Sequence, residues 1–142
     1  MKRRDFVSLN AVAVGASFIA PKVLAENAQS ASPVSDLYYT KASPGRWAQK
    51  VATHLPTAEV TKELSGKIQV KVVTPHEMKG YEHYIVKHVL LDKNYQFIAE
   101  HLFNPMTEKV ALSTHNLDSY TGTLYVLSYC NKHDLWLSAI EI

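Results

Sequence analysis

The sequence predicts an all-β domain, an immunoglobulin-like antiparallel β-sandwich of about seven strands. The segment Lys67–Val72 alternates polar and apolar residues, as a strand with one exposed and one buried face does. Similar short runs recur along the second half of the chain, and turn-forming segments such as Asp92–Asn94 separate them. Short, closely spaced strands can bury their apolar faces only against a second sheet, so a two-sheet sandwich is the economical architecture.

The predicted elements start with a helical turn over Trp47–Val51, ahead of the first strand at Lys67–Val72. Five further runs have strand character: Tyr84–Leu91, Tyr95–Phe103, Lys109–Thr114, Leu124–Tyr129 and Leu135–Ile140. Turn chemistry at Asn104–Met106 and Asp118–Gly122 separates later strands. No internal repeat is visible in the sequence.

The N-terminal 25 residues have the pattern of a twin-arginine export signal. Arg3 and Arg4 precede an apolar run, 12–20, and the small residues around Ala25 suit cleavage after that position. The run is shorter than the roughly 20 residues of a membrane span, so no stable membrane anchor is expected after cleavage. Residues 26–45 are rich in Ala, Ser, Asn and Pro and predict a linker or N-terminal arm, which leaves 46–142 as the folded domain. The expected location is the periplasm.

The basic character of the chain resides in this predicted signal. The whole chain has a formal net charge of +2, whereas the residues after Ala25 are close to −1. No basic stripe with interleaved aromatic residues remains, which argues against binding of nucleic acid. A small-molecule substrate or a protein redox partner fits better. The single cysteine excludes an internal disulfide, and a lone thiol in an oxidising compartment needs protection by burial or by a metal.

One thiol and several imidazoles are spaced as metal ligands would be. Cys130 lies three residues before His133, and His54, His76 and His83 lie upstream. A thiolate with nearby imidazoles can bind one soft or borderline metal ion. Taken alone, each histidine fits an ordinary surface or loop position better than a ligand role, and burial alone can explain the cysteine. Their order along the chain gives them weight as a set.

That order resembles the iron-binding domain of the desulfoferrodoxin and neelaredoxin family, the superoxide reductases. The matching segments are His54-Leu55-Pro56, His76-Glu77-Met78, His83-Tyr84-Ile85 and Cys130-Asn131-Lys132-His133. The resemblance covers roughly Arg46 to Ser138. It implies one iron per chain, with His54, His76, His83 and His133 as equatorial ligands, Cys130 sulfur as the axial ligand and an open position opposite the sulfur.

The resemblance further implies that superoxide is the substrate and is reduced to hydrogen peroxide with an electron from an external donor protein. A non-catalytic periplasmic electron carrier or redox sensor with the same iron centre is the alternative. A structural zinc or copper domain is a third reading. Five donors exceed the four of tetrahedral zinc, and blue copper expects a methionine after the cysteine, whereas the last methionine is Met106. Association into a homo-oligomer stays open.

Three departures from the family pattern bear on activity. Superoxide reductases usually carry Glu-Lys directly before the first histidine, where this chain has Ala52 and Thr53. Lys50 and Lys79 are the nearest candidates to supply the positive charge that attracts an anion, and each is also compatible with a solvated surface lysine. The interval between His76 and His83 is one residue longer than the family's, which predicts a bulge near Gly80. No upstream Cys-x-x-Cys centre is present.

The three remaining histidines are expected to be structural or exposed. His88 falls within a predicted strand, whereas His101 and His115 lie near predicted strand ends. In a regular strand His88 would point to the sheet face opposite to that of His83. His101 is the reserve ligand if a bulge displaces His83.

Overall fold

The structure, a computed structural model, describes residues 36–142 and forms the predicted sandwich. Seven antiparallel strands build two sheets with the strand orders β1-β2-β5 and β4-β3-β6-β7. The strands are β1 (Thr57–Lys62), β2 (Ile68–Glu77), β3 (Ile85–Leu91), β4 (Phe97–Leu102), β5 (Val110–Leu117), β6 (Thr123–Cys130) and β7 (Asp134–Glu141). The predicted signal, 1–25, and the first half of the predicted arm, 26–35, lie outside the described residues.

A short helical segment precedes the sandwich where a helical turn was predicted. A 3-10 helix, Gly45–Lys50, leads directly into one turn of α-helix, α1 (Val51–His54). The turn ends because Leu55 precedes a proline and takes an extended conformation, with a ψ of 121°. In the part of the chain that the structure describes, no helix has the length and apolarity needed to cross a membrane.

Two strand predictions were wrong, and both corrections concern sheet β1-β2-β5. Strand β1 was missed because Thr57–Lys62 has few large apolar residues; it is an edge strand with mostly exposed side chains. The strand predicted over Lys67–Val72 is β2, which continues to Glu77 across an irregularity between Thr74 and Glu77. His76 is therefore a strand residue and does not lie in the following loop.

The interior of the sandwich contains two apolar clusters and a group of buried polar side chains. The larger apolar core lies at one end and comprises Ile68, Val70, Val72, Leu90, Leu124 and Val126. A smaller apolar cluster lies elsewhere in the interior and comprises Met78, Ile85, Phe103, Ala111 and Cys130. Buried polar side chains of both sheets form a third group, which includes His88. The cysteine thus belongs to a compact apolar cluster.

The buried polar group is a hydrogen-bonded network centred on His88, which is fully buried. Its Nε2 lies 2.9 Å from the Thr74 hydroxyl and its Nδ1 lies 2.8 Å from the Ser113 hydroxyl. Thr74 also bonds Ser128, and Ser113 also bonds His115. Buried polar groups are tolerated when they are paired in this way. His88 and His115 are therefore structural and buried, and neither is exposed.

Residues ahead of the helical segment are attached to the edge strand β7. Tyr39 donates its backbone N–H to the Leu135 carbonyl, and its own carbonyl accepts from Leu137. Its ring is fully buried and packs at 5.7 Å from the Trp136 ring. Part of the predicted arm thus contributes to the interior of the domain.

Candidate metal centre

Five potential metal ligands converge from four separate segments of the chain. His54 is the last residue of α1, and His76 lies near the end of β2. His83 lies just before β3, in a segment closed by a bridge between Lys79 and His83. Cys130 ends β6, and His133 lies in the short loop that joins β6 to β7. The fold thus brings together all five residues that the sequence singled out.

The ligand atoms of the five residues all lie within 4.8 Å of one another. His54 Nε2 is 2.9 Å from His133 Nδ1, and His76 Nε2 is 3.0 Å from His83 Nε2. The Cys130 sulfur lies 3.4 Å from His83 Nε2, 3.6 Å from His133 Nδ1 and 3.7 Å from His76 Nε2. Three imidazoles therefore present Nε2 and one presents Nδ1 to a common centre, together with a thiol sulfur.

Burial keeps these imidazoles neutral at pH 7, which is the form that binds metals. Burial, followed by the neighbouring His76, lowers the pKa of His54 to about 3. Burial, followed by His83, lowers the pKa of His76 to about 4. The pKa values of His83 and His133 are also lowered, chiefly by burial. Each of the four rings therefore offers a nitrogen lone pair rather than a positive charge.

The Cys130 thiol responds to burial in the opposite sense. Burial raises its pKa, so that without a cation the sulfur retains its proton at pH 7. A thiol must lose that proton to become a strong metal ligand, and a bound cation supplies the charge that stabilises the thiolate. The donor set of one sulfur and four imidazoles suits a soft or borderline transition metal such as iron. Five donors are one more than the four ligands of a tetrahedral zinc site.

Thr53 and Trp47 orient two of the rings. The Thr53 hydroxyl lies 2.8 Å from His54 Nδ1, so a proton on Nδ1 leaves Nε2 free for a metal. Trp47 packs edge-on against the His133 ring at 4.7 Å and donates its indole N–H to Asp134 at 2.8 Å. Thr53, which stands where the family usually has lysine, therefore supports a ligand ring.

A cavity of about 440 Å³ lies beside the four-imidazole cluster. His54, His76 and His83 line it, whereas Cys130 does not. Lys50 and Lys79, the two lysines selected from the sequence as candidates for attracting an anion, also line the cavity. The remaining lining residues are Thr53, Pro75 and Glu77. A small anion could reach the imidazole side of the cluster through this cavity without passing the sulfur.

One charged residue of this cavity, Glu77, was not predicted from the sequence. Glu77 lies next to His76, and its carboxylate pairs with the Lys79 ammonium at 2.8 Å. Only the extension of β2 past Val73 brings Glu77 to the cavity wall, and that extension was not predicted. Gly80, in the turn between Lys79 and His83, has a φ of +54°, a conformation that glycine adopts without steric cost.

His101 does not join the cluster and is not needed as a reserve ligand, because His83 remains in place. Its Nε2 pairs with the Glu108 carboxylate at 2.7 Å. His88 and His115 are likewise outside the group of five. Among residues 36–142, this is the single group of three or more His, Cys, Asp or Glu side chains with metal-ligand spacing.

The family model for desulfoferrodoxin matches residues 46–139, which include all five converging side chains. The chain belongs to the desulfoferrodoxin family. Solved structures agree with this assignment. A superoxide reductase (neelaredoxin) from Ignicoccus hospitalis is 26% identical, with a TM-score of 0.63, and the match covers 78% of this chain and 98% of that one.

Two more distant structures share the fold. The superoxide reductase (neelaredoxin) from Archaeoglobus fulgidus in the reduced form is 22% identical, with a TM-score of 0.59, over 75% of this chain and 98% of that one. The superoxide reductase from Nanoarchaeum equitans is 20% identical, with a TM-score of 0.55, over 64% of this chain and 94% of that one. No curated protein sequence matches the chain significantly. The desulfoferrodoxin fold and the His/Cys cluster together identify a superoxide reductase-like protein with a candidate iron site.

Proposed function

We propose that this desulfoferrodoxin-family protein is a periplasmic superoxide reductase that holds one iron per chain and reduces superoxide to hydrogen peroxide. The observation that carries the proposal is the convergence of four neutral imidazoles and one thiol beside a cavity with lysines at its wall. His54, His76, His83, His133 and Cys130 would hold the metal. When bound, iron supplies the single electron that superoxide takes up together with two protons.

The protein's own residues would control approach and reactivity. Four uncharged imidazoles and one thiolate would cancel only one unit of the cation's positive charge, and the remaining charge would favour an incoming anion. The buried sulfur lies away from the cavity and so leaves the imidazole side for the substrate. Electrons would come from an external donor protein, because the cluster described above contains ligands for one metal only.

The two candidate lysines are not equivalent. The Lys79 ammonium is neutralised by Glu77 at 2.8 Å, so the pair attracts an anion less than a free lysine would. Lys50 lines the same cavity and forms no ion pair with any of the described residues. Lys50 is therefore the better candidate for attracting superoxide.

The folded protein is expected to contain about one iron per chain and to develop a visible thiolate-to-iron charge-transfer band when it is oxidised. A thiolate bound to ferric iron is the chemical origin of such a band. Metal analysis and optical spectra of protein isolated without added metal would measure both. Stoichiometric zinc or copper, with no band after oxidation, would contradict the proposed iron centre.

The variant Lys50→Gln is expected to lower the rate constant for superoxide with the reduced centre by about 10-fold at low salt, within the usual range of electrostatic steering. The deficit should shrink at high ionic strength, because salt screens the lost charge. Pulse radiolysis at two salt concentrations would measure it.

Lys62→Gln is the matched control for that experiment, because Lys62 lies in β1 at the end paired with Ile68, away from the cavity. Equal and salt-independent rates for both variants and the wild type would refute a steering role for Lys50.

The alternative function is a non-catalytic electron carrier or redox sensor with the same centre. Two observations favour it: Thr53 occupies the position of the usual lysine, and Glu77 neutralises Lys79. An iron-loaded reduced protein that is not oxidised by superoxide at all would support this alternative. Export by the twin-arginine pathway belongs to both proposals and is testable by cell fractionation with an Arg3→Lys, Arg4→Lys double variant.

A further inference from the structure

We propose that Asn131 is a positioning residue that fixes His83 against Cys130 and His133. The inference rests on the proposed function, in that His83 is taken to bind the iron. Asn131 is not counted as a ligand, because both ends of its side-chain amide are bonded to backbone groups of the segment that carries His83. It directly follows Cys130, and its side chain is directed to the segment that carries His83.

The Asn131 side-chain amide forms hydrogen bonds to the His83 segment through both its oxygen and its nitrogen. Its Oδ1 accepts the backbone N–H of Tyr84 at 3.0 Å. Its Nδ2 donates to the carbonyls of Glu82 and Tyr81, at 3.1 and 3.3 Å. The Asn131 backbone N–H donates to the Tyr84 carbonyl at 3.2 Å. The hydrogen-bonded residues lie on both sides of His83 in the chain.

His83 depends on such support more than the other upstream histidines do. His54 is in a helical turn and His76 is in a strand, whereas His83 lies in neither. Its own segment is closed by the bridge to Lys79, in which the Lys79 N–H donates at 2.8 Å and the return bond is long, at 3.5 Å. That bridge fixes the segment internally but does not attach it to the Cys130 segment.

Apart from the contacts of His83 with Cys130 and His133, the ion pair between the two segments is weak. Lys132 and Glu82 approach to 3.9 Å, and both side chains are about half exposed or more. Exposed ion pairs of this kind contribute little, about 0–1 kcal/mol. Apart from the ligand side chains themselves, Asn131 thus provides the principal side-chain hydrogen bonds between the His83 segment and the turn that contains Cys130 and His133.

A residue that positions a ligand should alter the properties of the bound metal in protein that is still folded. Removal of groups that orient metal ligands typically costs about 10–100-fold in metal affinity or activity. In Asn131→Ala we expect iron to be released to a chelator about 10–100-fold faster than in the wild type. We also expect the ferric charge-transfer band to shift or broaden, since its energy depends on the arrangement of ligands around the iron.

Two further variants complete the experiment. Asn131→Asp has nearly the same shape and retains the acceptor for the Tyr84 N–H, but it loses both donors, so it tests the role even if the alanine variant fails to fold. We expect it too to release iron faster and to shift the band. Asn116→Ala is the matched control, because Asn116 lies in β5 and bonds Gln69 at 3.3 Å, away from the cluster; we expect it to behave as the wild type.

The outcomes separate the two proposals. If folded Asn131 variants keep the wild-type band and the release rate of Asn116→Ala, the positioning role is refuted while the iron centre stands. If the wild type itself binds no iron and shows no band, the proposed function has failed. Circular dichroism of each variant establishes that the comparison concerns folded protein.

Discussion

Replacement of Cys130 by serine is expected to abolish the charge-transfer band and to weaken iron binding by on the order of 100-fold or more. The sulfur lies within 3.4–3.7 Å of three imidazole nitrogens, so its position in the cluster is fixed. A neutral hydroxyl is a poor substitute for a soft anionic donor. The loss should exceed that for Asn131→Ala, because a ligand is removed rather than reoriented. Metal analysis and optical titration would measure it.

His101→Gln is the control for this variant, because it also changes a potential metal-binding side chain but one paired with Glu108 outside the cluster. It should retain both the iron and the band. If Cys130→Ser had the same iron content and spectrum as His101→Gln, the sulfur would not be a ligand. The proposed iron centre with one sulfur and four imidazole ligands would then be wrong.

The second large effect is expected in the acid stability of the metal-free protein. Burial lowers the pKa of His88 to about 3, whereas in an unfolded chain a histidine titrates near 6.5. Between these values the unfolded chain binds a proton that the folded protein does not, so stability falls as the pH is lowered. The slope for this one residue is up to about 1.4 kcal/mol per pH unit, or about 3 kcal/mol between pH 6.5 and 4.

In His88→Gln this contribution to the pH slope should disappear, although the variant should be less stable at pH 7 by about 1–3 kcal/mol through unsatisfied hydrogen bonds. Urea unfolding of metal-free protein at several pH values would measure both effects. The lowered pKa values of His54 and His76 also contribute to the slope, but they do so equally in both proteins and cancel in the difference.

Ser113→Ala separates the lost hydrogen bond from the lost titration. It removes the hydroxyl at 2.8 Å from His88 Nδ1 and keeps the buried imidazole. We expect it to lower stability at pH 7 while the steep acid dependence persists. An unchanged slope in His88→Gln would mean that His88 does not contribute to the acid sensitivity of the fold.

Much of the fold and the cluster could be predicted because both depend on local patterns. Short strand-like runs separated by turn segments locate six of the seven strands, and the alternation of buried and exposed residues is regular in β2 and β5. The four histidines and the cysteine could be selected by their ligand chemistry and by their order along the chain. Their ligand atoms do converge, within 4.8 Å of one another. Neither inference needs knowledge of contacts between distant parts of the chain.

The missed features depend on contacts that no local pattern encodes. Strand β1 forms because β2 offers it a partner, although its own residues are mostly polar and exposed. The burial of His88 requires hydroxyl groups from β2 and β5, which are 14 and 25 residues away. The pairing of Glu77 with Lys79 at the cavity follows from the irregular continuation of β2, which the alternation up to Val73 does not predict.

Tyr39 has a consequence for where the folding unit begins. It precedes the family match, which starts at residue 46, yet its backbone bonds to β7 and its ring is fully enclosed beside Trp136. A protein shortened to the region of the family match would leave that space vacant and uncover the free edge of β7. Uncovered strand edges invite association with other chains. Recombinant forms and affinity tags should therefore preserve the chain from Asp36 onward, ten residues upstream of the family boundary.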